Sequence, residues 1–137
     1  RLGEVDLTGY SSELRVTPRH EYLAQLVDTL LAASVDLARA ADLAPACRIA
    51  AKTRRAIGGG CVTTATAAEM AHELADDVGA AIGALKRRHE AKAFCLEGAF
   101  EEWKRALEGD DPAEIVEGLF ALAQRLQMVA WAMLNPA

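Results

Sequence analysis

Apolar residues recur along this chain at the three-to-four-residue spacing of helices from residue 18 almost to the end. Thr17 and Pro18 form a helix start, with threonine as N-cap and proline at the first helical position. This pattern predicts a first helix over residues 18–41. A shorter helix is predicted over residues 46–57, and the glycine triplet at residues 58–60 ends it.

The longest apolar stripe runs in phase from Met70 to Leu107. Thr63 or Thr64 can cap this stripe, which predicts one continuous helix over residues 65–108. A break at residues 90–93 is the alternative, because ordinary helices are about a third of that length. An unbroken helix would extend beyond its neighbours and expose apolar side chains, so a homodimer is expected.

Gly109, two aspartates and Pro112 end this segment and begin the last helix, which Asn135 closes. Its apolar face is wide enough to be buried on two sides, in the centre of a bundle or in a subunit interface. Residues 1–16 are expected to form an extended arm or hairpin, and residues 17–137 a single domain. The predicted fold is an all-α antiparallel bundle of about four helices, one short and one very long.

Acidic residues number 20 and basic residues 15, giving a net charge of −5. This balance disfavours nucleic acid as a partner, because such binding needs many cations against phosphates. No apolar run reaches the roughly 20 residues of a membrane span, so no membrane association is expected. The three cysteines form no CxxC pair, and small buried thiols in a cytoplasmic protein are the simplest interpretation.

An acidic segment near the start of the third helix is a candidate metal site. A carboxylate and an imidazole three residues apart share one helix face, as in carboxylate-bridged di-metal bundles. The candidate ligands of a divalent metal are Glu69, His72, Glu73 and Asp76. Within one chain this set is incomplete, so a symmetric dimer would have to supply a second copy.

A basic helix face followed by glycines and a helix start is a candidate anion site. Free backbone N–H groups at a helix N-terminus and nearby cations favour bound anions. The candidate residues are Arg48, Lys52, Arg55, Gly59, Gly60 and Thr64. The alternative is a solvated basic turn followed by a flexible connection.

The function expected from the sequence is that of a small interaction or regulatory module that forms homo-oligomers and contacts a protein partner through a helix face. The residues expected in the interface are Phe100, Trp103, Leu107, Trp131 and Met133. The alternatives are a metal-dependent enzyme or metal carrier and an anion- or nucleotide-sensing bundle. No catalytic residue can be assigned, and enzymatic activity is the less favoured expectation.

Overall fold

The computed structural model describes residues 18–41, 43–58 and 62–135 of the chain. Every regular element in these ranges is helical, which confirms the all-α prediction. The predicted N-terminal arm lies outside the described residues. The helices are α1 (Pro18–Ala41), α2 (Ala44–Gly58), α3 (Thr64–Arg88), the single-turn α4 (Glu90–Ala93), a 3₁₀ turn (Phe94–Leu96), α5 (Glu97–Glu108) and α6 (Pro112–Leu134).

Local sequence signals explain most of the helix ends. The Thr63 side chain accepts a hydrogen bond from the backbone N–H of Thr66, whose hydroxyl accepts from the Thr63 N–H in return, so α3 begins with a capping box. Asp111 caps α6 in a similar way, and Pro112 occupies its first turn. Helix α2 was predicted to begin at residue 46 but begins at Ala44. Pro45 is tolerated in the first turn because backbone N–H groups there make no hydrogen bond within the helix.

The prediction of one unbroken helix over residues 65–108 is wrong. Helix α3 ends at Arg88, and His89 has non-helical φ and ψ angles of −141° and 59°. Three cations lie in the last turn of α3, and Glu90 lies in the first turn of α4. Cations are favoured at the C-terminus of a helix and anions at the N-terminus, so these charges stabilise the two helix ends at the break. The alternative of a break was the correct interpretation, and the break begins at His89.

After the break, α5 folds back along α3. The Nζ atom of Lys86 lies 2.6 Å from Oε2 of Glu97, and Phe100 contacts α3 at Gly79. The two halves of the long apolar stripe therefore both pack against the core around α6 within the same chain. The expected overhang does not exist, so it gives no reason for a dimer.

Interhelical contacts define the direction in which the helices run. Contacts pair α2 with α3, α3 with α5 and α5 with α6 in opposite directions. In contrast, α1 and α6 run in the same direction, because Tyr22 meets Phe120 near both starts and Asp36 accepts from Gln127 further along. The described residues thus contain five helices of three or more turns, where about four were predicted.

The core lies around α6, which packs against α1, α3 and α5. Leucines from α1, α3 and α6 fill it, together with Trp103 from α5. The two-sided burial expected for the last helix follows from this central position. Among the described residues, no helix combines the length and the apolar character needed to cross a bilayer.

Candidate functional site

An ion-pair cluster around the buried Asp77 joins α2 to α3. Asp77 is 7% exposed; its Oδ1 accepts from Arg48 Nε at 2.8 Å and its Oδ2 from Lys52 Nζ at 2.8 Å. Lys52 Nζ also donates to the backbone oxygen of Glu73 at 3.0 Å. The cluster therefore fixes the distance between the two helices through directed, charge-assisted hydrogen bonds.

The charge state of Asp77 follows from these contacts. Burial alone raises the pKa of this carboxyl, because it disfavours the ionised form. The hydrogen bonds from Arg48 and Lys52, together with their positive charges, outweigh burial and lower the pKa of Asp77 below its ordinary value of 3.8. Asp77 is consequently an ionised partner of both cations at neutral pH.

A cleft of about 320 Å³ lies beside this cluster, between the end of α2 and the start of α3. Lys52 and Arg55 line it from α2, and Glu69 and Glu73 line it from α3. The remaining lining is Ala56, Val62, Thr66, Ala67 and Met70. The cleft thus has charges of both signs around a partly apolar floor.

The structure divides the predicted metal ligands into two pairs. Glu69 and Glu73 line the cleft, whereas His72 and Asp76 are exposed and do not line it. Within the described ranges, no group of three histidine, cysteine, aspartate or glutamate side chains is placed to hold a metal ion. A metal shared across a dimer remains a prediction.

The predicted anion site is also divided. Arg48 and Lys52 bind Asp77, and Arg55 lines the cleft. Gly59 and Gly60 lie outside the described residues. Thr64 is the first residue of α3, and the capping box of the preceding Thr63 satisfies the N–H of Thr66. One backbone donor expected to face an anion is therefore already used.

The predicted interface residues lie in different environments. Trp103 is 0% exposed and belongs to the core, so another chain cannot reach it. The prediction that Trp103 lies in an interface is therefore wrong. Its burial follows from the return of α5 onto α6, where it contacts Gly118. Three others are partly buried against the core, namely Phe100, Leu107 and Met133. Trp131 alone of the set is largely exposed, at 61%.

A continuous exposed stripe runs along α6, here called the outer seam. Its residues follow alternating four- and three-residue steps and are all exposed: Glu117, Ala121, Gln124, Met128, Trp131 and Asn135. Met128 is 65% exposed and Trp131 61%, so the C-terminal half of the seam is strongly apolar. Such alternating steps form the contact face of paired helices.

A shallow groove of about 490 Å³ lies where the N-terminal half of the seam meets α5. Small residues, Ala106, Gly118 and Ala121, form part of its lining. The charged residues around it are Glu102, Arg105, Glu114 and Glu117. The same helix therefore has a small-residue hollow at one end and two large apolar side chains at the other.

Sequence reasoning missed Asp77 and Met128. Asp77 falls beside the apolar positions Leu74 and Val78, and an acidic residue next to such a stripe indicates a buried ionic partner.

The thiols of Cys47 and Cys95 are exposed, which corrects the expectation of buried cysteines. Cys47 lies on the outer side of α2 and Cys95 in the 3₁₀ turn, while Cys61 lies outside the described residues.

Comparison with protein-family models, curated proteins and solved structures gives no significant match for this chain.

Proposed function

We propose that this protein is an interaction module that forms a homodimer through the outer seam of α6. The observation that carries this proposal is the exposure of Met128 and Trp131 on one helical stripe. Exposed apolar area costs roughly 25 cal/mol per Å², and a cluster of it commonly marks an interaction site. A second copy of the chain is the partner to which this surface is complementary.

The complementarity follows from the order of residues along the seam. In a two-fold pairing, the two copies of α6 would run antiparallel, so a position near one end meets a position near the other. Centring the pairing between Gln124 and Met128 places Trp131 of one copy over Ala121 of the other. A large side chain then meets a small one, beside the groove that Gly118 and Ala106 help to line.

The charges around the groove fit the rim of such an interface. Glu117 and Glu114 lie at the N-terminal end of the seam, and Arg105 lies across the groove on α5. Protein interfaces commonly have an apolar centre and a polar rim that remains in contact with water. The pairing keeps these charges at the edge, where ionisation costs little.

The wider role is regulatory or architectural, with contact to a further protein partner through a helix face and no chemistry of its own. The short connections, such as residues 109–111 between α5 and α6, support an antiparallel up-and-down arrangement of consecutive helices. We also propose a cytoplasmic location, which the free thiols of Cys47 and Cys95 support because exposed free thiols persist in a reducing compartment.

The test is the mass of the protein in solution, measured by light scattering after size exclusion. We expect the wild-type chain at high micromolar concentration to have the mass of two chains, and Trp131→Glu to have the mass of one. Phe94→Glu is the matched control, because Phe94 is 74% exposed but lies in the 3₁₀ turn, off the seam. A single-chain mass for the wild type, or an equal effect of both variants, would refute the seam dimer.

A further inference from the structure

We propose that the cleft between α2 and α3 binds a free α-amino acid with an apolar side chain. Its carboxylate would meet Arg55, its ammonium would meet Glu69 and Glu73, and its side chain would lie on the apolar floor. This site is on the far side of α3 from the contact with α5 and is separate from the outer seam of α6.

The first support is that opposite charges face each other across the cleft without contact. Helices α2 and α3 run antiparallel, with Lys52 beside Glu73, so Arg55 one turn later faces the level of Glu69. Among the described residues, no carboxylate of Glu69 or Glu73 lies within 4.0 Å of a cationic nitrogen of Lys52 or Arg55. The two walls therefore present charges of both signs to whatever enters.

Asp77 explains why the walls stay apart. Lys52 donates to Asp77 and to the backbone oxygen of Glu73, so two of its three donors are already used below the cleft. Held there, Lys52 does not reach the Glu73 carboxylate. The cluster with Asp77 thus sets the width of the cleft and leaves Arg55 as the cation best placed to receive a ligand.

The mixture of charges selects among ligand classes. A lone divalent cation would be attracted to Glu69 and Glu73 but repelled by Lys52 and Arg55. A lone anion would be attracted to Lys52 and Arg55 but repelled by Glu69 and Glu73. A ligand with a carboxylate and an ammonium is favoured by both walls, because each of its charges finds an opposite partner.

The size and floor of the cleft fit a compact apolar side chain. The volume of about 320 Å³ is at the lower end of small-molecule pockets, which suits a ligand of amino-acid size. Ala56, Val62 and Met70 give an apolar surface, and methionine adapts its shape to its neighbours. Leucine, methionine and phenylalanine are therefore the ligands of choice.

Isothermal titration calorimetry with these three amino acids tests the proposal. We expect at least one to bind with a dissociation constant of about 1 mM or tighter. For leucine, 4-methylpentanoate lacks the ammonium and 3-methylbutylamine lacks the carboxylate, so each should bind at least tenfold more weakly. Absence of binding by all three amino acids, or equal binding of leucine and either analogue, would overturn the proposal.

Variants locate the binding in the cleft. Arg55→Gln and Glu69→Gln should each weaken binding at least tenfold. Arg54→Gln and Asp76→Asn are matched controls, since both residues are exposed on the same helices and neither lines the cleft. An equal loss in the controls would overturn the proposal, as would saturable Mn²⁺ binding that Glu69→Gln abolishes in a protein that binds no amino acid. Circular dichroism verifies that each variant is folded, and the dimer mass is an independent reading because these residues lie off the seam.

Discussion

The contact between α2 and α3 and the contact between α5 and α6 hold neighbouring helices together by different physics. In the first, Asp77 joins two cations and an open cleft remains beside it. In the second, Trp103 is completely buried and touches Gly118. Directed hydrogen bonds fix helices at the distance the bonds require, whereas apolar contacts bring them as close as side-chain size allows. The first contact therefore leaves a cleft lined by charges of both signs, whereas the second places a large apolar side chain in the core and leaves a shallow groove at its surface.

The largest expected effect breaks the apolar contact. Trp103→Ala removes a fully buried indole, and such truncations cost about 3–5 kcal/mol of unfolding free energy. Urea denaturation measures the loss. Trp131→Ala is the control at an exposed tryptophan, and it should change the stability of the monomer by less than about 1 kcal/mol. Equal losses in the two variants would mean that burial does not distinguish the two tryptophans.

A smaller effect sharpens the same contact. A Cβ atom on Gly118 would lie 3.1 Å from Cδ1 of Trp103, so Gly118→Leu must displace a buried ring and should cost about 1–3 kcal/mol. Gly98 lies in α5 with nothing within 4 Å of the same position, so Gly98→Leu should be neutral or stabilise by up to about 1 kcal/mol. Urea denaturation of both variants at low micromolar concentration makes the comparison. A stabilising Gly118→Leu would contradict the close packing described above.

The smallest expected effect concerns the ionic contact. Asp77→Asn removes the carboxylate charge but keeps the shape, and the loss should be about 1 kcal/mol, because Arg48 and Lys52 are partly exposed and can turn to water. The variant should also narrow the cleft, because Lys52 would be held less firmly by residue 77 and could move toward the Glu73 carboxylate. Urea denaturation at pH 7 gives the free energy.

The pH dependence of that loss identifies its origin. The pKa of Asp77 is lower in the folded chain than its ordinary value of 3.8, so its contribution is fully present above that value. The contribution is lost as the pH falls through the lower pKa of the folded state. The difference between wild type and Asp77→Asn should therefore stay constant from pH 7 down to near 3.8 and shrink as the pH falls below that value. A difference that stays constant below 3.8 as well would assign the effect to packing and not to charge.

Much of the helical structure could be predicted from the chain, because it depends on local signals. The predicted first helix has the bounds of α1, and Pro112 begins α6 as expected. The break at His89 was open from the sequence, since the apolar spacing continues through it while the backbone changes direction. Periodicity reports which face of a segment is apolar and gives no information about whether the next segment continues or returns.

The candidate sites show the same division. Glu69 and Glu73 were singled out as metal ligands and Lys52 and Arg55 as an anion site, from separate segments of the sequence. The structure brings all four to one cleft, because α2 and α3 run antiparallel. Their meeting depends on a contact between residues more than 20 positions apart, which spacing within either helix does not encode.

The sequence by itself determined the helical character of the described residues, the caps of α3 and α6 and the acidic character of the chain, because these depend on composition and on neighbours within a few residues. Tertiary structure alone decided that Trp103 is buried while Trp131 is exposed, and that Asp77 binds two cations. Both tryptophans lie on helical stripes of similar appearance. Their exposure differs because α5 packs against one part of α6, which buries Trp103, and leaves the C-terminal half of the seam, with Trp131, uncovered.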